Sequence, residues 1–224
     1  MSSGSGRTAP LSLPDGLVAV QRVAVEVAER AAREAEPGMT EIELRNLAEE
    51  WLRDRGCEEV WSITNVGFDA RSTICFPDEP PTENRLVAIG HVDVHPISAD
   101  GWWGDCTRTF SLGRHPEHER AFAAVRDIHA ATLARARPGM PARELFEGAN
   151  AAIEAAGYRL LDPWSNIGHS LRQGSAYDEK FIDATNDREM WGAWAVEPFL
   201  GNDDFGVKVE DVVWFGRDGC VYLR

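Results

Sequence analysis

Hydrophobic positions near the start of the chain follow the spacing of amphipathic helices. Between residues 14 and about 36, valines and leucines recur on one helical face among Ala, Glu and Arg, which predicts a long helix. The stretch Pro37-Gly38-Met39-Thr40 ends that helix. Thr40 and Glu43 match the signature of a capping box, so a second helix is predicted to begin there and to end near Arg55-Gly56.

The pattern changes to that of extended strands after the second helix. Residues 59–67 and 70–76 are predicted as strands, residues 77–84 as a loop, and residues 86–94 as an apolar strand. This strand leads into the sequence HVDVHPISADGWWGDCTRTFSLG, residues 91–113. A turn at Ser98-Ala99-Asp100-Gly101 predicts that this stretch is a β-hairpin.

The helical part of the pattern then returns. Residues 117–137 predict another long helix, and Pro138-Gly139-Met140 ends it, 101 residues after Pro37-Gly38-Met39. The pairs that keep the same offset are Glu43 and Glu144, Leu44 and Leu145, and Gly56 and Gly157. Pro-Gly punctuation also recurs by chance, but several matches at one offset favour an internal duplication.

The first hairpin carries two carboxylates within strand-like sequence. Asp93 and Asp105 are centred on Ala99, so they are predicted to face each other across the hairpin. Opposed carboxylates repel, and a bound cation is the usual compensation. A solvated acidic turn is the alternative, and it suits Asp100 better than the two aspartates in the strands.

A duplication requires a second pair of carboxylates about 100 residues later. Glu197 and Glu210 straddle the turn sequence at Asp203-Asp204 and meet this requirement. Four converging carboxylates imply cations, and their oxygen donors suit Mn, Fe, Co, Mg or Zn. A lone histidine is usually structural, but beside four carboxylates His169 is the candidate imidazole ligand.

Composition narrows the possible partners and the compartment. The chain has 224 residues and a formal net charge of −14, which argues against nucleic acid and anionic membranes as partners. No run approaches the ~18 apolar residues of a membrane span. Residues 1–14 lack an apolar signal core and are predicted to form a flexible tail. The four cysteines form no CxxC pair, which favours free thiols and a cytoplasmic location.

Taken together, the motifs resemble the pita-bread metallopeptidase family, which includes methionine aminopeptidase, Xaa-Pro aminopeptidase, prolidase and creatinase. The resemblance spans about residues 17–223. The matching motifs are Asp93 with the Asp-Gly turn, Asp105-Cys106-Thr107-Arg108-Thr109, Ile167-Gly168-His169, Val196-Glu197-Pro198 and Val207-Lys208-Val209-Glu210-Asp211. The resemblance implies an α+β pita-bread fold over residues 15–224 as a single domain. Two pseudo-symmetric halves, about 15–113 and 114–224, would each supply two helices and antiparallel strands around a central metal site.

The resemblance also implies a ligand set for two divalent metal ions (Mn, Co, Fe or Zn). Asp93 would chelate one ion, Asp105 and Glu210 would bridge both, and His169 with Glu197 would hold the other. Such a pair, ~3.5–4 Å apart, makes a nucleophilic hydroxide and polarises an amide carbonyl. Strand alternation places Thr107 on the face of Asp105 and Lys208 on the face of Glu210, where each either orients the ligands or is simple strand surface.

Two histidines of the family pattern are missing. Active relatives carry substrate-facing histidines in the regions that correspond here to residues 73–77 and 170–177, and neither region contains one. His95 shares the strand face of Asp93 and is proposed as a replacement acid/base. The residues predicted to shape the substrate pocket are Cys75, Trp103, Arg172 and Tyr177.

The sequence therefore predicts a dinuclear-metal hydrolase that cleaves a C–N bond in a short peptide or an amino-acid-derived small molecule. It would resemble an aminopeptidase or an Xaa-Pro peptidase. The alternatives are a small-molecule enzyme of creatinase type and a non-catalytic binding module; retention of all five ligands disfavours the module. Acidic residues and tryptophans near the second hairpin are compatible with either a homodimer face or a lid.

Overall fold

The computed structural model of the chain describes residues 12–75 and 79–224. The helices in this part of the chain are α1 (Asp15–Glu34), α2 (Glu41–Asp54), α3 (Pro116–Arg135) and α4 (Ala142–Ala155), with a short 3₁₀ helix at Asp69–Thr73. The strands are β1 (Glu59–Val60), β2 (Asn65–Phe68), β3 (Ile89–Val94), β4 (Pro96–Ile97), β5 (Cys106–Ser111), β6 (Arg159–Leu160), β7 (Asn166–Arg172), β8 (Ser175–Asp183), β9 (Gly192–Val196), β10 (Phe199–Gly201), β11 (Gly206–Lys208), β12 (Asp211–Gly216) and β13 (Gly219–Leu223).

The duplication predicted from the sequence is visible in the helices. Helices α1 and α3 each have 20 residues, and α2 and α4 each have 14. Gly38 and Gly139 follow the long helices with φ of +86° and +71°, a conformation that favours glycine. The predicted capping box is present, because the Thr40 hydroxyl accepts from the Glu43 amide and the Glu43 carboxylate accepts from the Thr40 amide. The prediction of two related α+β halves is confirmed.

Antiparallel sheets pack against the helices. Strands β2, β3 and β5 form one sheet in the order β2-β3-β5, and the larger sheet has the order β13-β12-β9-β7-β8. Smaller sheets join β11, β10 and β6, and β1 with β4. Every strand pair in the described residues is antiparallel.

Apolar clusters of buried side chains hold the layers together. Ala24 and Leu44 of α1 and α2 pack with Val92 of the first sheet. Leu145 of α4 packs with Ile167 and other residues of the larger sheet. A third cluster, centred on Ile89, Val125, Ile153, Leu200 and Val207, joins elements of both halves. Burial of these side chains from both halves stabilises them as one unit around the central sheets.

One predicted strand is wrong. Residues 70–76 were expected to be extended, but residues 69–73 form the 3₁₀ helix, and Phe76 lies outside the described residues. Asp69 has a φ of +51°, and its carboxylate accepts hydrogen bonds from the amides of Val87 and Ala88. This side-chain bonding turns the chain and competes with strand formation. Those contacts also delay the next strand, which begins at Ile89 and not at Leu86.

The two hairpins differ in register. In the first, Asp93 lies opposite Thr107, so Asp93 and Asp105 are not directly opposed as expected. Asp105 precedes β5, and its backbone is instead fixed by α1. In the second, Val196 lies opposite Asp211 and Phe199 opposite Lys208. This register keeps Glu197 level with Glu210, as the sequence predicts.

No helix among the described residues is long and apolar enough to cross a membrane. Residues 1–11 of the predicted tail lie outside the described residues, and α1 begins at Asp15.

Gln21 is the contact through which α1 holds Asp105. This fully buried amide donates to the Asp105 carbonyl at 2.6 Å and accepts from the Asp105 amide at 2.9 Å. A Gln21→Leu variant keeps the volume but leaves both backbone groups without partners. We expect a loss of about 2–4 kcal/mol in the free energy of unfolding, measured by urea denaturation. Replacing the exposed Gln173 with Ala is the control, and its expected effect on the free energy of unfolding is within about 0.5 kcal/mol. If the Gln21→Leu protein were as stable as the unaltered protein, the role of this contact would be contradicted.

Candidate metal centre

Five predicted ligands meet in one cleft between the two halves. Asp93 lies near the end of β3, Asp105 precedes β5, His169 lies in β7, Glu197 follows β9, and Glu210 lies between β11 and β12. All five line the same cavity. The structure therefore brings together side chains that are up to 117 residues apart in the sequence.

The acidic side chains are buried at contact distance from imidazoles. His169 Nε2 lies 3.2 Å from Asp105 Oδ2 and 3.7 Å from Glu197 Oε1. On the other side, His95 Nε2 lies 3.4 Å from Asp93 Oδ1 and 3.7 Å from Asp105 Oδ1. Asp105 is thus the carboxylate that contacts both imidazoles, and its exposed fraction is 1%.

Lys208 lies among the carboxylates, on the face where strand alternation placed it. Its Nζ is 2.5 Å from Glu197 Oε2, 3.1 Å from Asp93 Oδ2 and 3.4 Å from Glu210 Oε2. Burial alone lowers the pKa of this ammonium group, but the surrounding carboxylates outweigh burial and raise the pKa well above its ordinary value. Lys208 therefore stays charged and ties three of the acidic residues together.

Thr107 supports Glu210 directly. Its hydroxyl donates to Glu210 Oε2 at 2.7 Å. Arg108, the next residue in β5, is not among the residues that line the cleft. It donates to the Glu210 carbonyl at 2.7 Å and to the Asp211 carboxylate at 2.7 Å. The side chain and the carbonyl of Glu210, and the neighbouring Asp211 side chain, are thus held in place.

The electrostatics of the cleft suit a cation. Burial, with Asp105 and Glu197 nearby, raises the pKa of Glu210 well above its usual value, and burial also raises the pKa of Asp105. Asp93 differs: burial raises its pKa, but Lys208 and His95 together lower it below the usual range. Asp93 Oδ1, Asp105 Oδ1 and Glu210 Oε1 are buried and accept no hydrogen bond from the described residues. Oxygen atoms left in this state fit the coordination of divalent metal ions.

Two sets of three donors have the spacing of metal ligands. Asp93, His95 and Asp105 form one set, and Asp105, His169 and Glu210 form the other. Within each set the donor atoms lie within 4.8 Å of one another. Asp105 belongs to both.

The strand that carries His169 depends on a glycine. Gly168 has a φ of +143°, and a Cβ atom there would lie 2.1 Å from the Ala195 carbonyl oxygen. Only glycine lets β7 approach β9 so closely at this point. The Gly168 amide also donates to Asn166 Oδ1 at 2.8 Å, and Asn166 Nδ2 donates to Asp162 Oδ1 at 2.7 Å. The segment before His169 is thereby fixed to the floor of the cleft.

The residues predicted to shape the pocket fall in different places. Cys75, His95 and Tyr177 line the cleft. The Cys75 thiol donates to Asp93 Oδ2 at 3.2 Å, and the Tyr177 ring lies 4.5 Å from the His169 ring. Trp103 lies behind the cleft wall, stacked on Trp61 at 5.2 Å.

Arg172 does not reach the cleft, so that prediction is wrong. It forms an ion pair with Asp178 and lines a separate cavity of about 420 Å³ with Trp102 and Trp191. The reason is the short β7–β8 turn at Gln173-Gly174, which places Arg172 opposite Ser175 at the far end of the strand pair.

Several residues of the cleft escaped the sequence reasoning. They are Trp61, Asn65, Asp162, Asn166, Trp164 and Phe181. Asn65 and Asn166 keep the 101-residue offset of the duplication, and so do Trp61 and Asp162. The repeat therefore contained a signal for these positions. Burial and the Glu197 charge raise the pKa of Asp162 to about 6.

Comparison with known proteins agrees with this geometry. Residues 15–216 match the model of metallopeptidase family M24. Methionine aminopeptidase A from Synechocystis sp. is 26% identical over 160 residues, which cover 67% of this chain and 61% of that protein. The chain therefore spans less than two thirds of the length of this relative.

Solved structures of similar fold include peptidases from bacteria and archaea. Dipeptidase PepE from Mycobacterium ulcerans has a TM-score of 0.82 at 23% identity, and the match covers 94% of this chain and 57% of the PepE chain. Prolidase from Pyrococcus furiosus has a TM-score of 0.83 at 20% identity, and the match covers 93% of this chain and 62% of the prolidase chain. Methionine aminopeptidase from Rickettsia prowazekii has a TM-score of 0.74 at 15% identity, and the match covers 96% of this chain and 99% of the aminopeptidase chain. These likenesses confirm the pita-bread fold, and the match over nearly the whole chain shows that the protein belongs to metallopeptidase family M24.

Proposed function

We propose that the chain is a dinuclear-metal hydrolase that cleaves a C–N bond in a small substrate with a free amino group. The observation that carries this proposal is the convergence of four carboxylates, three of them buried, with two buried imidazoles. Asp93, Asp105 and Glu210 each present an oxygen atom that has no hydrogen-bond partner among the described residues. Asp93, Asp105, His169, Glu197 and Glu210 would hold the ions, with Asp105 and Glu210 between them. A bound metal pair supplies a Lewis acid and lowers the pKa of water, which is the chemistry that amide hydrolysis needs.

The other residues of the cleft would position these ligands and the substrate. Thr107 fixes the orientation of Glu210, and Lys208 holds three carboxylates at set distances. The rings of Trp61, Tyr177 and Phe181 form an apolar wall beside His169. This wall would exclude water and bind the apolar part of a substrate.

The charges on the wall favour a cationic substrate group. Asp162 and Glu197 line the cleft next to the aromatic rings, and Lys208, the only Lys or Arg among the described lining residues, is already paired. An amino group would therefore find carboxylates and ring faces, whereas a free carboxylate would find no unpaired protein cation in this part of the chain. This favours cleavage near a free N-terminus, as in aminopeptidases.

The size of the cleft supports a second candidate, a small-molecule enzyme of creatinase type. The cavity over the ligands has a volume of about 50 Å³, which is below the ~300–1,000 Å³ of sites that enclose drug-sized ligands. A binding module without catalysis is less favoured, because such a role gives no reason for the buried carboxylates.

The first test is a metal-supplemented substrate screen. The chelator-treated protein is supplied with Mn²⁺, Co²⁺, Fe²⁺ or Zn²⁺ and offered Met-peptides, Xaa-Pro dipeptides with free or amidated C-termini, and N-substituted amino acids. We expect hydrolysis with at least one metal, faster on amidated than on free dipeptides. We also expect about 2.7 kcal/mol of stabilisation for each bound ion at a free metal concentration of about 100 times its Kd.

Glu210→Ala is the matched negative variant in this screen. It should lose both hydrolysis and most of the metal-induced rise in Tm, because it removes the predicted bridging carboxylate. Glu50→Ala, on the exposed face of α2, should behave like the unaltered protein. A chain that binds none of the four metals and gains no stability from them would support the binding module instead.

The aromatic wall generates a separate prediction. Tyr177→Ala removes part of the apolar wall, so KM should rise about 10-fold or more while kcat changes less. Tyr177→Phe keeps the ring and should keep the KM. If Tyr177→Phe lowers kcat as much as Tyr177→Ala, the hydroxyl and not the ring is the functional group, and the wall interpretation is wrong.

A further inference from the structure

We propose that His95 is a sixth protein ligand of the metal centre, completing a three-residue site with Asp93 and Asp105. This inference rests on the proposed function, because it assumes that the cleft binds divalent metal ions. It differs from the acid/base role expected from the sequence, because a nitrogen lone pair bound to a metal is not free to accept a proton.

The distances between the donor atoms are those of a coordination shell. His95 Nε2 lies 3.4 Å from Asp93 Oδ1 and 3.7 Å from Asp105 Oδ1. Ligand atoms that sit about 2.0–2.2 Å from a common ion in tetrahedral or octahedral geometry lie about 3–3.5 Å from one another. The observed spacings are long for direct N–H···O hydrogen bonds and lie near the separation that a shared ion requires.

The two oxygen atoms that face His95 have no hydrogen bond from the described residues. Asp93 Oδ2, in contrast, is already engaged by Lys208 at 3.1 Å and by the Cys75 thiol at 3.2 Å. Asp93 therefore uses one oxygen for the protein and presents the other, with Asp105 Oδ1, toward the imidazole. A cation between these three atoms would satisfy all of them.

The His95 ring is also buried, and its Nδ1 has no hydrogen-bond partner among the described residues. Trp61 packs edge-on against it at 4.8 Å, and the Trp61 amide donates to the His95 carbonyl at 3.0 Å. His95 has an exposed fraction of 6%, and its Nδ1 is buried. A buried ring suits a ligand better than a residue that exchanges protons with a substrate.

With His95 included, the two donor sets become alike. Each contains one imidazole, Asp105, and one further carboxylate: Asp93 on one side and Glu210 on the other. An imidazole in both sets favours transition metals over Mg²⁺ or Ca²⁺ at both positions. The structure therefore assigns two sites of similar donor chemistry that share Asp105.

The test measures metal binding and not turnover. Chelator-treated protein is titrated with Co²⁺, following visible absorption and binding heat. We expect two equivalents to bind the unaltered protein. His95→Ala should weaken one of them at least 10-fold and change the absorption of that site. His95→Asp, which replaces one donor with another, should restore two-site binding.

His115→Ala, on a histidine outside the cleft, is the matched control and should leave both affinities unchanged. Circular dichroism of the metal-free variants establishes whether each is folded. If His95→Ala does not fold, the Co²⁺ absorption of His95→Asp is compared with that of the unaltered protein. A carboxylate ligand in place of the imidazole must shift the Co²⁺ bands of that site. Unchanged affinity and absorption in folded His95→Ala, or unchanged bands in His95→Asp, would overturn the inference. Failure of the unaltered protein to bind Co²⁺ would instead overturn the proposed function.

Discussion

Repulsion among buried carboxylates is the constraint on which the centre of this protein depends. Asp93, Asp105 and Glu210 are each less than 5% exposed, and they converge with Glu197 at the junction of the two halves. Charges of one sign in a site of low dielectric raise the free energy of the folded state unless cations accompany them. Lys208 supplies one such charge. Bound divalent cations, as proposed above, would offset the remaining imbalance, and their binding would then be linked to folding.

The surrounding structure opposes that repulsion by fixing the backbone at Asp105, at Glu210 and next to His169. Gln21 bonds both the amide and the carbonyl of Asp105, Arg108 bonds the Glu210 carbonyl, and Gly168 allows the close strand contact that sets His169. None of these residues donates to a metal. They keep the ligands from relaxing apart, which is the work of an outer shell in metal sites.

The sequence was informative where a physical requirement repeats. The Pro-Gly punctuation and the paired carboxylates each occur twice, so the duplicated fold and the convergence of the four carboxylates were predicted from spacing. It was less informative where one side chain overrides local propensity. Asp69 turns a strand-like segment into a 3₁₀ helix by bonding the amides of Val87 and Ala88. The register that places Asp93 opposite Thr107 depends on where α1 holds Asp105, a contact across 84 residues. Arg172 was misplaced because its position depends on the length of the β7–β8 turn.

Regular and irregular backbone divide the proposed metal ligands from the residues that line the rest of the cleft. The ligands lie in or next to paired strands, where a shift of one residue would disturb the hydrogen bonds of a whole sheet. The pocket wall is built differently: Cys75 follows the 3₁₀ helix, and Tyr177 lies in a stretch of β8 where it and Lys180 have positive φ. The β7–β8 pair also contains register shifts. Such irregular backbone accepts new side chains without loss of the sheet. The proposed metal ligands are therefore anchored by regular strand pairing, and the proposed substrate wall lies at irregular positions of the backbone.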